Sequence, residues 1–421
     1  MEQLKRDKAI LVGVQKQLDH HFDYEMEELE NLAAAIDIET AGIVTQNLER
    51  IHAGTYVGTG KVEEIRLLFE AMEADLVIFN DELSPSQIRN LEAALECEVM
   101  DRTMLILAIF SRRAKTREAK LQVDLAQLQY MLPRLVGLRA SLSRQGGGTG
   151  GGFKNRGAGE TKLELDRRKI EDQISRIKRE LETVKSQRDT QRKRRQKQGL
   201  PVVSLVGYTN AGKSTIMNQI MQVAGKEQKQ VFEKDMLFAT LETSVRQVKL
   251  EDQKQFLLTD TVGFVSKLPT HLVKAFRSTL EEARDADLLL HVVDVSNEEY
   301  RYMMDITNKT LDQIGVEDVP TLYVFNKSDK ADRDYPVYQD DQLWIAAKEG
   351  AGIPELIDQI KDRVFQDYQT LMLRIPFEQG EIVDYLNTHA NVLETEYDDQ
   401  GTLMTVELSA KDAARLSSYL H

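Results

Sequence analysis

The sequence predicts an α/β protein of several domains, and three features carry that prediction. Apolar runs rich in β-branched residues alternate with helical patterns through most of the chain. One such run, residues 202–206, leads into Gly207-Tyr208-Thr209-Asn210-Ala211-Gly212-Lys213-Ser214, a complete GxxxxGKS loop, and then into a helical pattern from Thr215. Between residues 111 and 200 the composition turns basic and the periodicity helical. The expected architecture is an N-terminal α/β subdomain (1–110), a long antiparallel helical hairpin (111–199), a P-loop domain (200–365) and a small α+β domain (366–421).

In the first segment, strands are expected at 9–14, 42–45, 75–79 and 97–100, with helices at 25–35, 62–72 and 84–94. Strict alternation of this kind gives a mostly parallel sheet. Gly58-Thr59-Gly60-Lys61 has the look of a phosphate loop but lacks the first glycine and a Ser or Thr after the lysine, so it predicts no second nucleotide site.

The hairpin follows. A helix is expected to continue from the basic stretch at Arg112 through 121–135. Residues 142–159 hold seven residues of a glycine-rich run, Gly146 to Gly152, interrupted only by Thr149. At about 1 kcal/mol per glycine that segment cannot stay helical, so a loop is expected. A second helix runs from Glu160 to about Lys197, with Ile170, Ile174, Ile177, Leu181 and Val184 forming a heptad seam. Arg139, Arg144, Gly148, Gly150, Lys154 and Arg156, in or beside the loop, are the candidate RNA contacts.

The third segment carries the chemistry. Strand, glycine loop and helix is the context in which backbone N–H groups and a helix N-terminus cradle phosphates. Lys213 is expected to reach the β- and γ-phosphates, and Ser214 to hold Mg²⁺. Gly207 to Thr215 together form the phosphate-binding set. Asp260-Thr261-Val262-Gly263 ends the strand-like run 255–259; its carboxylate can hold Mg²⁺ through water, and the Gly263 N–H is open to the γ-phosphate. Asn326-Lys327-Ser328-Asp329 ends the run 321–325, where open α/β sheets bind ligands. The Asp329 carboxylate can accept from guanine N1–H and the 2-amino group, a donor pair that adenine lacks. Ala346-Ala347-Lys348 is expected as a second base-contacting loop, with alanine where serine is usual. GTP or GDP, with Mg²⁺, is therefore the expected ligand, and GTP hydrolysis the expected reaction.

The catalytic assignments are Lys213, Thr240, Gly263 and Asn210. A threonine between the first two motifs should complete Mg²⁺ coordination; Thr240 is preferred, with Thr243 as the fallback. After Gly263 stands Phe264, which cannot orient water, so slow intrinsic hydrolysis is expected. Asparagine at position 210 suits K⁺ beside the phosphates and K⁺-stimulated hydrolysis; the alternative is an asparagine that only stabilises the loop. The last segment reads strand, helix, strand, strand, helix and shows no catalytic group.

The chain has 421 residues, 41% of them hydrophobic and 29% charged. Its single cysteine, Cys97, excludes an internal disulfide and fits a reducing cytoplasm. No apolar stretch approaches the ~20 residues of a membrane span. The net charge of −14 argues against nucleic acid until its distribution is considered. Residues 111–200 hold 24 Lys and Arg against 10 Asp and Glu, a local +14 that leaves −28 on the rest. Such a block suits a polyanion; the bland alternative is a solvated helical surface.

Gly58 to Ile65, Arg112 to Val123, Gly157 to Arg168 and the switch at 237–240 resemble the HflX family of ribosome-associated GTPases, and the resemblance covers essentially the whole chain. Ala158 departs from the usual proline, and the glycine run before Phe153 is extended. The resemblance implies a P-loop GTPase domain that, with the hairpin and N-terminal subdomain, docks on the 50S ribosomal subunit. It also implies that the GTP form dissociates 70S ribosomes under stress, with hydrolysis releasing the protein. No DNA or membrane partner is expected, and the protein is expected to be monomeric, cytoplasmic and partly ribosome-associated. The rival readings are a GTP-gated RNA or ribosome-assembly factor without splitting activity, and a GTPase regulator of a protein partner that uses the hairpin as a coiled-coil interface.

Overall fold

The structure is a computed structural model that describes residues 7–17, 19–135, 154–198, 200–225, 238, 244–269, 272, 282–316 and 318–421, without the side chains of 154–163, 188–189 and 191–198. Three sheets and a long helix organise it.

The N-terminal sheet consists of β1 (Lys8–Gln15), β2 (Glu39–Asn47), β3 (Leu76–Phe79) and β4 (Glu98–Asp101) in the order β2-β1-β3-β4. All three pairings are parallel. The crossovers are helices α1 (Phe22–Ala34), α2 (Thr59–Ala71) and α3 (Pro85–Leu95), so all seven expected elements are present. β1 is buried over its middle six residues because helices cover both faces of the sheet. Gly58-Thr59-Gly60-Lys61 starts α2, and Lys61 pairs with Glu64 at 2.7 Å.

Helix α4 (Arg102–Arg113) runs across the boundary expected at residue 110. Asp101 caps it by accepting the Met104 N–H at 2.8 Å. The continuous helix expected through Arg112 is in fact two. Ala114 leaves helical geometry, and Thr116 caps a new start at α5 (Arg117–Met131). The second hairpin helix, α6, spans Lys154–Gln198 and so begins six residues earlier than expected, taking in Gly157 and Gly159. Ile174 is the most buried residue of the seam, and Arg117 of α5 reaches Glu180 of α6 at 2.9 Å.

The central sheet has seven strands in the order β10-β11-β9-β8-β5-β7-β6. The inner strands β5 (Val202–Gly207), β7 (Gln255–Asp260), β8 (Leu288–Asp294) and β9 (Thr321–Asn326) pair in parallel, as their buried apolar runs require. The edges, β6 (Ser244–Lys249) and β10 (Val337–Gln339), pair antiparallel and were not expected from sequence; β11 (Gln342–Trp344) joins β9 in parallel. Helices α7 (Lys213–Val223), α8 (Tyr300–Gln313) and α9 (Ile353–Val364) cover this sheet.

The C-terminal residues form an antiparallel sheet of β12 (Tyr368–Ile375), β14 (Gly401–Ser409) and β13 (Asn391–Asp398) in that spatial order, with α10 (Gly380–His389) and α11 (Ala410–Arg415). No helix among the described residues is long and apolar enough to cross a membrane.

Candidate functional site

The C-terminal ends of β5, β7 and β9 converge on the glycine loop. Gly207 ends β5 with φ +144°, and a Cβ there would lie 2.2 Å from the Val292 carbonyl oxygen, so no side chain fits. Gly212 has φ +96° and its missing Cβ would meet Asn326 Nδ2 at 2.2 Å. Lys213 opens α7 with its side chain folded back under the loop. Its Nζ donates to the carbonyls of Gly207 at 3.0 Å and Tyr208 at 2.7 Å. Burial lowers its pKa to about 8, against the opposing pull of Asp260.

Ser214 donates its hydroxyl to Asp260 Oδ2 at 2.7 Å. Two hard oxygens from the glycine loop and from the end of β7 thus meet beside Lys213, a donor set that suits Mg²⁺. Gly263 packs against the loop so closely that a Cβ would lie 2.8 Å from Thr209 Cα and 3.0 Å from Lys213 Nζ. The backbone fixes this approach. Thr209 N–H donates to Phe264 O at 2.8 Å, and Phe264 N–H to Gly207 O at 3.2 Å. The Phe264 ring is buried in an apolar cluster with Val206, Tyr208 and Leu289.

Asn326 ties three loops together. Its Nδ2 donates to Ala211 O at 2.9 Å, and its Oδ1 accepts from Ala347 N–H at 3.0 Å. Lys327 sits at φ +63°, with Nζ on Asp294 Oδ2 at 2.7 Å. Asp329 is half-buried, Ala346 and Ala347 are fully buried and Lys348 is exposed. The absent serine hydroxyl at Ala346 is offset by backbone bonds in both directions between Ala346 and Ala351. Asn210 is exposed at φ +61° within the glycine loop, and Thr215 is half-buried one position into α7 after Ser214.

The structure therefore brings together Gly207 to Thr215, Asp260, Gly263, Asn326, Lys327, Asp329 and Ala346 to Lys348. Thr240, Thr243, Arg139, Arg144, Gly148 and Gly150 lie outside the described residues. Lys154 and Arg156 fall in the first turn of α6, and their side chains lie outside the description too. The Tyr208 side chain turns away from the loop and donates to Glu28 Oε1 of the N-terminal domain at 2.5 Å, so only its backbone faces the site. Sequence reasoning missed that contact, which joins residues 180 positions apart. Cys97 precedes β4 half-buried, and burial with Glu92 and Glu98 nearby pushes its thiol to about 11, which leaves it unreactive.

This arrangement of loops defines a P-loop GTP hydrolase. Family models match as "GTP-binding GTPase N-terminal" over residues 23–111, "GTP-binding GTPase Middle Region" over 113–195 and "50S ribosome-binding GTPase" over 202–327. The chain is 42% identical to a "GTPase HflX" from Caldanaerobacter subterraneus, across 100% of this chain and 96% of that one. It is 40% identical to the "GTPase HflX" of Escherichia coli K12, across 89% and 87%. The chain belongs to the HflX GTPase family. A solved GTP-binding protein from Sulfolobus solfataricus in complex with GDP is a more distant likeness, at 23% identity and TM-score 0.44, covering 85% of this chain and 99% of that one.

Proposed function

We propose that this GTPase binds the 50S ribosomal subunit and in its GTP form separates 70S ribosomes into subunits, hydrolysis then releasing it. The observation that carries this is the segregation of charge. Residues 111–200 carry a local +14, of which the 45-residue α6 holds +8, while the rest of the chain carries −28. At 1.5 Å per residue, α6 is about 67 Å long, a reach suited to rRNA. Basic side chains along it would neutralise phosphates and make binding salt-sensitive. The "50S ribosome-binding GTPase" description of the matching family model supports the same partner.

In the pocket, the loop N–H groups and Lys213 take the phosphates, and Asp329 reads guanine with Lys327, Ala347 and Lys348 framing the base. Mg²⁺ would be held by Ser214 and Thr240, where it would neutralise charge on the phosphates. Gly263 N–H senses the γ-phosphate. Asn210 holds K⁺; equal turnover in Na⁺ and K⁺ at matched ionic strength would remove that assignment. With Phe264 buried in place of a water-positioning group, intrinsic turnover is slow and the large subunit raises it. The protein acts as a monomer in the cytoplasm, partly on ribosomes.

The test is GTP turnover with added 50S subunits. An increase of about tenfold or more is expected, as when a partner completes a GTPase site. An unchanged rate at low salt would count against the large subunit as partner.

A further inference from the structure

The N-terminal domain contacts the GTPase domain at the glycine loop, at the segment after Gly263 and at Phe238. At the glycine loop, the Tyr208 hydroxyl donates to Glu28 Oε1 at 2.5 Å. At the segment after Gly263, the Ser266 hydroxyl donates to Glu28 Oε2, which also takes the Arg102 guanidinium. Arg102 is only 1% exposed, and it donates as well to Ser266 O at 3.3 Å, Ser266 Oγ at 2.7 Å and Asn80 Oδ1 at 2.6 Å. At the segment before Thr240, the Phe238 ring meets Phe110 edge to face at 4.7 Å. Val262 and Val265 lie in the same apolar cluster as Phe110.

We infer that Glu28, held by Arg102, is a positioning residue for GTP hydrolysis: it fixes the Tyr208 carbonyl that seats Lys213 and the Ser266 backbone that follows Gly263. The path is short. Tyr208 O accepts from Lys213 Nζ at 2.7 Å, and Ser266 stands three residues past Gly263, where a Cβ would lie 2.8 Å from Thr209 Cα and 3.0 Å from Lys213 Nζ. One carboxylate from another domain therefore sets both walls of the phosphate site. Burial, with Glu28 beside it, holds the Tyr208 hydroxyl protonated and so a donor at every working pH. A buried ion pair is a poor source of net stability compared with apolar packing, so placement is the better account of this one. Small displacements of groups that contact reacting phosphates can cost up to ~10²-fold in rate.

The test compares Tyr208→Phe and Glu28→Gln with Tyr302→Phe in the full-length protein. Tyr302 donates to Glu25 at 2.9 Å in the same domain interface but touches neither wall of the site, so it controls for a merely structural role. Turnover of GTP, affinity for fluorescent GTP and GDP analogues, and melting temperature are measured for each. Tyr208→Phe and Glu28→Gln are expected to lower kcat by about tenfold and to weaken GTP more than GDP, with Tyr302→Phe near wild type. Tyr208→Phe removes one oxygen and should keep the fold even if Glu28→Gln, which strands Arg102, does not. Equal losses in Tyr208→Phe and Tyr302→Phe, or wild-type kinetics in Tyr208→Phe, would overturn the assignment. None of these readouts needs ribosomes, so the outcome is independent of the splitting proposal.

Discussion

At the C-terminal edge of the central sheet, Gly207, Asp260 and Asn326 hold loops open around the phosphate site; at the same edge of the N-terminal sheet, Asn80, Asp81 and Asp101 are already bonded to protein. Asn80 accepts from Arg102, Asp81 from Lys267 and Tyr56, and Asp101 from Tyr130 and the N–H groups of Leu83 and Met104. Both edges obey the rule that open α/β sheets collect polar groups at their strand ends. What differs is the occupant. The N-terminal edge is occupied by Ser266 and Lys267 from the segment after Gly263. Position in a fold gives the place of a site, and only the side chains say what fills it.

That contrast can be broken by exchange of function between the two edges. Asp329→Ala should have the largest effect, cutting preference for guanine over adenine nucleotides by up to ~10⁴-fold in competition binding, because a polar pocket rejects analogues that leave its groups unpaired. Asn326→Ala strands Ala211 O and Ala347 N–H, at about 1–3 kcal/mol each, so fluorescent nucleotide titration should show affinity falling ~10²-fold or more. At the other edge, Asp101→Ala also removes buried hydrogen bonds and a helix cap. It should cost about 2–4 kcal/mol in denaturant unfolding yet leave nucleotide affinity unchanged. If affinity fell as well, the N-terminal edge would be part of the ligand site.

The smallest effect is one of pH. The depressed pKa of Lys213, about 8, means the empty pocket disfavours the ammonium, whereas phosphates favour it. Below pH 8 the lysine is already charged and affinity should be flat. Above it, binding must take up a proton, so affinity should fall by up to ~10-fold per pH unit. The same shift makes the empty protein gain stability as pH rises from about 8 toward 10.5. A flat profile to pH 9.5 would mean that Lys213 stays charged without nucleotide.

The nucleotide loops were legible because their chemistry is contiguous: strand, glycine, lysine and carboxylate follow within a few residues of each other. The parallel strands were legible for the same reason, as continuous apolar runs. The edge strands were not, since Ser244–Lys249 alternates with charge and Val337–Gln339 is wholly exposed. The start of α6 was misplaced because Gly157 and Gly159 oppose a helix locally, and propensity is a weak guide inside a longer helix. The cluster at Glu28 could not be read at all. It joins residues 180 and 238 positions apart, and each of them alone is an ordinary polar residue on a helix or loop.

The central claim is that nucleotide state controls action on the ribosome. Purified 70S ribosomes would be sedimented through sucrose with this protein and either a non-hydrolysable GTP analogue or GDP. The account predicts conversion to 30S and 50S with the analogue, the protein travelling in the 50S peak, and intact 70S with GDP. Co-sedimentation without separation, or no association at low salt, would contradict it.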